Sequence, residues 1–207
     1  NISKFRRITQ GKKIECNAKK AIEILEEFTD RYENIAITGF NYTSFVVPGT
    51  SDNIPFRLNV HAYSAMLIKN NMPYKWRLKY NEDVDICLQV LHNKLCTVLF
   101  NAFTVDKTST TAKMKGGNQT ELYKGNAYEK KFLKTRSLEE VWPQYVQTKI
   151  RYDRPHHIIN WMQFKHPLKR RKDIDWEKIK NKKQDIKLTR LTKRKNKELK
   201  KFYNKYK

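Results

Sequence analysis

Tyr80-Asn81-Glu82-Asp83-Val84-Asp85-Ile86-Cys87-Leu88-Gln89-Val90-Leu91, followed after a short gap by Thr97-Val98-Leu99-Phe100-Asn101-Ala102-Phe103, decides the fold of this chain. Ile86, Leu88, Val90 and Leu91 cannot all face water, so a helix over roughly 82–93 must be anchored in a core. The apolar run after it has the length and composition of a buried strand. Three carboxylates, Glu82, Asp83 and Asp85, open the helix, where the macrodipole favours negative charge, and Asn81 is a suitable N-cap. A capped helix with an acidic first turn is one reading. An acidic site within a strongly basic chain is the other.

Upstream, Ala21, Ile22, Leu25, Phe28 and Tyr32 recur at helical steps and predict a helix over 18–33. Ile35 to Phe40 reads as a strand, Phe45-Val46-Val47 as a short second one, and Phe56 to Ile68 as one or two more. Tyr74 to Tyr80 alternates apolar with basic residues, the pattern of a half-exposed strand. Downstream, 106–120 is a long polar loop. Helices are expected over 121–134 and 137–148, with Ser137 and Glu140 forming a capping box. The order of elements predicts an α/β domain over 1–165 and a basic tail, helical or partly disordered, over 166–207.

Charge is unevenly spread. The net charge is +23 over 207 residues, and residues 151–207 carry 21 Lys/Arg against 6 Asp/Glu. Such a field favours polyanions, nucleic acid first. Lys169-Arg170-Arg171-Lys172 is its densest cluster and the expected nucleic-acid contact. With 39% hydrophobic residues the chain supports a true core, and no apolar run approaches a membrane span. Cys16, Cys87 and Cys96 lack metal spacing and read as reduced thiols of a reducing compartment.

Several groups could carry chemistry. Glu82 or Asp83 could take a proton from an acceptor hydroxyl, and a helix N-terminus would help keep either ionised. Asp83-Val84-Asp85 also has the Asp-X-Asp spacing that holds Mg²⁺ or Mn²⁺ with a diphosphate, a reading that ranks below the base because the tripeptide leads into a helix rather than following an apolar strand. Lys113 and Lys115 precede Gly116-Gly117-Asn118, a run that could wrap a phosphate or sugar or simply make a turn. His156 and His157 are candidate metal ligands, but neighbours in an extended segment point oppositely, so at most one can face a given site.

The order of these features resembles the C-terminal half of a GT-A-type glycosyltransferase, in which an acidic pair opens a helix on the acceptor side. More closely, Asn81 to Leu88, Val98 to Phe103, Lys107-Thr108-Ser109-Thr110-Thr111 and Lys115 to Asn118 resemble the TET/J-binding-protein-associated glycosyltransferases, known from phages with relatives in eukaryotes. The resemblance implies a GT-A-like mixed sheet flanked by helices. It places the N-terminal nucleotide-binding half, with its own metal-binding motif, upstream of Asn1. It implies metal-dependent transfer, with Mn²⁺ or Mg²⁺, of a sugar from a nucleotide-diphosphate donor (a UDP-sugar) to a hydroxymethylated pyrimidine in DNA. In that reading Asp83 and Glu82 are catalytic, while Asp85, Lys113, Lys115 and the glycine run bind substrate. The setting would be the cytoplasm of a phage-infected cell. The rival expectation is a basic nucleic-acid-binding protein without catalysis.

Overall fold

A computed structural model describes residues 2–9, 11–47, 54–107 and 127–181. The chain opens with a hairpin, β1 (Ile2–Thr9) and β2 (Lys12–Cys16), followed by α1 (Ala18–Thr29) and β3 (Ile35–Tyr42). Two short strands, β4 (Phe56–Leu58) and β5 (Met66–Ile68), precede α2 (Glu82–His92) and the long β6 (Cys96–Lys107). Then come α3 (Ala127–Val141), the hairpin β7 (Val146–Arg151) and β8 (Arg154–Ile159), a 3-10 turn at Trp161–Gln163 and α4 (Trp176–Asn181).

The main sheet has the order β2-β1-β6-β3-β5. β3 and β6 form its parallel pair, and the other pairings are antiparallel. One edge of β6 is shared: Val98 to Phe100 pair with β4, and Phe103 to Lys107 pair with β1. β3 and the first half of β6 are buried on both faces, which is why their sequences run nearly unbroken in apolar residues. The fold is therefore α/β, a mixed sheet flanked by helices. Gly39 makes room for the loop that follows β4, since a Cβ there would lie 3.3 Å from both Ala62 Cβ and Ala65 O.

α2 is sandwiched. Ile86, Cys87 and Val90 pack against Ala36, Ile37 and Ala62 on the sheet side. Val84, Leu88 and Leu91, at helical spacing, pack against Leu138, Trp142, Val146 and Phe164 on the other. Fully burying each such side chain contributes roughly 1.5–3 kcal/mol, so this helix is held from both sides. α1 covers the opposite sheet face with Ala21, Leu25 and Phe28.

Four sequence expectations are corrected. Phe45-Val46-Val47 is not a strand: the Phe45 amide donates to Tyr42 O in a turn at 3.0 Å, Val46 is buried and Phe45 exposed. Tyr74 to Tyr80 is irregular, because its polar groups go to side chains of α2 rather than to a neighbouring strand. Gln89 Nε2 donates to Lys75 O at 3.0 Å, and Arg77 turns in to Asp85. Asn81 does not cap α2 with its side chain; it adopts a left-handed conformation (φ 57°) and its amide donates to Lys134 O in α3 at 2.9 Å. Ser137 opens no helix either. It lies inside α3, its hydroxyl donating to Lys134 O, and Pro143 ends that helix where 137–148 was expected to continue.

The segment 164–171 is a strap across the base of the sheet. Asn34 binds it at two points, donating to Pro167 O (2.9 Å) and accepting from the Lys169 amide (2.8 Å). Asn59 Nδ2 donates to His166 O at 2.8 Å, and Leu168 packs on the core under α1. The expected tail boundary at 166 thus falls inside an integrated element. Residues 182–207 lie outside the described residues.

Candidate functional site

Tyr42 ends β3 and Lys107 ends β6, so both stand at the carboxyl edge of the parallel pair, where open α/β sheets bind ligands. α2 passes through Lys94 and Leu95 directly into β6, which sets its acidic first turn at the same edge. The loop between β4 and β5 completes the edge with His61, Tyr63 and Ser64.

Asp83 is the acid that faces this edge. Its Oδ2 lies 3.1 Å from His61 Nε2, and its Oδ1 accepts from the Val84 amide at 2.9 Å. The imidazole nitrogen is buried and meets the carboxylate off the axis of an aligned hydrogen bond, so the contact is mainly one of proximity and charge. Burial pushes the Asp83 carboxyl up. The His61 contact and charge, the Val84 N–H and the Lys134 charge outweigh it and hold the group below the usual carboxylate range. The His61 ring lies parallel to Trp161 (8°, centroids 5.9 Å apart) and 5.0 Å from Tyr63.

Asp85 has the opposite fate. It is 1% exposed and accepts from Arg77 through both Nε (3.0 Å) and Nη2 (2.9 Å), from Trp142 Nε1 at 2.7 Å and from Gln89 Nε2 at 2.9 Å. Arg77 also covers the Trp142 ring at 5.0 Å. Every lone-pair direction is used within the fold, so the expected substrate-binding role for Asp85 is replaced by a structural one. Glu82 is exposed at the helix start.

β8 separates the two histidines as its alternation requires, with His156 exposed and His157 half-buried. Burial pushes His157 down to about 4, and nearby His61 and Lys134 add to it against the opposing Asp83 carboxylate, with His156 a smaller contribution. Its folded value lies below its ordinary one, so the stability it contributes is complete above about pH 6.5 and is lost as pH falls toward about 4. We expect unfolding free energy to drop by up to about 3 kcal/mol across that window, and His157→Gln to flatten the profile in urea titrations. Among the described residues no three His, Cys, Asp or Glu side chains come together as a metal would require. The expected histidine ligands therefore lack partners for such a centre there.

A buried polar network supports the edge. Asn41 Nδ2 donates to Asn101 Oδ1 at 2.9 Å, and Asn41 Oδ1 accepts from the Tyr42 amide and from Tyr63 OH. The β3–β6 register shifts here, between Phe40 and Asn41, an irregularity of the kind often found beside active sites. Tyr42 OH is paired with Ser64 Oγ, and Lys107 Nζ donates to Tyr42 OH at 3.1 Å. Lys113, Lys115, Gly116, Gly117 and Asn118 lie outside the described residues.

The basic cluster is partly engaged. Arg171 Nε donates to Asp173 Oδ1 at 3.0 Å, and Arg170 sits over Trp176 at 4.7 Å. Lys169 and Lys172 are exposed. A cleft of about 650 Å³ lies at the opposite end of β3, against Glu26, Asp30, Lys69 and Arg171, away from Asp83.

The family model for TET-associated glycosyltransferases matches residues 1–117, more than half of the chain. The chain belongs to the TET-associated glycosyltransferase family. The matched span holds β1 through β6, hence Asp83, His61, Tyr63 and Lys107, while Lys134, His157 and Trp161 lie beyond it. No curated protein and no solved structure matches the chain. Among the described residues no helix is long and apolar enough to cross a membrane.

His61 and Tyr63 were not singled out from the sequence. Leu58-Asn59-Val60-His61-Ala62 alternates like a strand and makes His61 look like an outward residue. In fact β4 stops at Leu58, and Asn59 (φ 56°) redirects the chain toward Asp83. The available signal was Asn59, a residue that tolerates left-handed backbone.

Proposed function

We propose that this glycosyltransferase moves a sugar from a nucleotide-diphosphate donor, a UDP-sugar, to the hydroxymethyl group of a pyrimidine in DNA, with Asp83 as the base. The observation that carries the reading is a half-buried carboxylate beside His61 at the carboxyl edge of the parallel pair, two residues from a second carboxylate that the fold consumes. In a direct displacement the acceptor oxygen bonds to the anomeric carbon while the bond from that carbon to the diphosphate breaks. Asp83 takes the proton that the acceptor oxygen loses, and a group ionised throughout the neutral range is ready to do so. Lys107 brings positive charge to the same edge. A divalent ion would neutralise the departing diphosphate; among the described residues no three His, Cys, Asp or Glu side chains come together to hold one. The charge of +23 favours a nucleic-acid acceptor.

The test is incubation with UDP-sugars, with Mn²⁺ or Mg²⁺ present, and DNA containing 5-hydroxymethylcytosine or 5-hydroxymethyluracil, followed by mass analysis of the digested nucleosides. A glycosylated nucleoside is the expected product. Salt-sensitive DNA binding without product from any donor would instead favour the non-catalytic binder. Retention of configuration at the anomeric carbon would reassign Asp83 to holding the acceptor.

A further inference from the structure

Beside Asp83 and His61, three aromatic rings converge at the open edge of the sheet. Tyr42 lies 5.5 Å from Phe45 and 4.8 Å from Tyr63, and Phe45 lies 6.4 Å from Tyr63. The rings are mutually tilted by 46–78°, so they form a cup rather than a closed stack. Phe45 is 58% exposed, so much of its ring is open to solvent. The polar ends of the cup are pinned from behind, Tyr63 to Asn41 and Tyr42 to Ser64, which fixes the rings before any ligand arrives. Cations frame it. Lys107 Nζ lies 5.5 Å from the Tyr42 ring centroid, Lys13 Nζ donates to Thr43 O at 2.6 Å, and Arg57 is within electrostatic reach of Tyr63. The nearby carboxylate Asp106 is occupied by Arg6 at 2.6 Å.

We propose that Tyr42, Phe45 and Tyr63 form a stacking cup for one unpaired base of a DNA strand, with Lys13, Lys107 and Arg57 set to meet its flanking phosphates. Exposed aromatic faces interleaved with cations are how proteins hold single-stranded nucleic acid, because every base offers a π-face and every linkage a negative charge. A base in the cup is stacked next to His61, whose ring is 5.0 Å from Tyr63 and which touches Asp83. The cup deepens the proposed function by assigning residues to the acceptor. Its role in transfer rests on that reading, whereas its binding of a base does not.

The test compares the affinity of the full chain for a short oligothymidylate and for an abasic strand of equal length. The wild type should prefer the base-bearing strand by roughly tenfold or more. Phe45→Leu keeps the surface apolar but removes the ring, and should erase most of that preference; Phe45→Trp should keep it. Lys107→Gln should weaken both strands alike and lower the salt slope by about one. Equal binding of both strands by the wild type, or an unchanged preference in Phe45→Leu, would overturn the cup. A base preference that Phe45 controls, in a protein that transfers no sugar, would retain the cup and remove the transferase reading. Transfer without a base preference would do the reverse.

Discussion

Asp85→Ala is expected to cost about 1–3 kcal/mol of stability, the range for stranding a buried polar partner, because Arg77 is 44% exposed and can return to water while the Trp142 indole cannot. Its carboxylate ties Arg77, Gln89 and the Trp142 indole to the start of α2. Removing it leaves the indole N–H buried without an acceptor and a hole where four donor contacts met. Trp142 belongs to the cluster that holds α2 against α3 and β7, so the loss reaches beyond one turn. Urea unfolding should show a lower midpoint with an unchanged slope. A shift worth less than about 1 kcal/mol would mean that the network is dispensable.

Asp83→Asn should behave in the opposite way. The side chain keeps its shape and can still accept from the Val84 amide, but it can no longer take a proton. Transfer should fall by roughly 10²–10⁴-fold, the span of general-base contributions, with KM for DNA little changed. Because the folded carboxyl lies below the usual range, the stability it contributes is present above about pH 3.9 and vanishes only as pH falls through its lowered folded value. The wild-type rate should therefore show no loss from this group between neutrality and about pH 5. A variant with near-native turnover would remove Asp83 from the proton transfer. Two carboxylates separated by Val84 thus divide cleanly, one expected to control activity and the other stability.

The central elements were legible because burial on both sides leaves an unmistakable composition. Ile35 to Tyr42, Val84 to Leu91 and Cys96 to Val105 are almost wholly inside, and no other arrangement shields them. The edges were not legible. β1 and β2 are half-exposed and carry Lys4, Arg6, Arg7, Lys12 and Lys13, so their apolar alternation is diluted by charge. Tyr74 to Tyr80 misled in the other sense: its alternation serves Arg77 and Leu78, which reach into α2's surroundings from an irregular backbone. The acidic turn could be read as chemically interesting, but nothing local distinguishes Asp83 from Asp85. Only the partners do that, and Arg77, Trp142 and His61 come from three separate segments.

The strap that reaches Asn34 from Pro167 and Lys169 spans a separation of 133 to 135 residues. On a ribosome β1 through β6 are all synthesised before the strap, so the sheet can pair while Asn34 still waits for its partners. Until then the Asn34 amide and the thiol of Cys96, which approaches the carbonyls of His166 and Pro167, have no lid from that side. Loop-closure entropy grows only slowly with separation, so it is the order of synthesis that makes the strap a late event in maturation. Until the strap arrives, the core under α1 also lacks Leu168, so the last apolar contact there is made only when the strap is laid down.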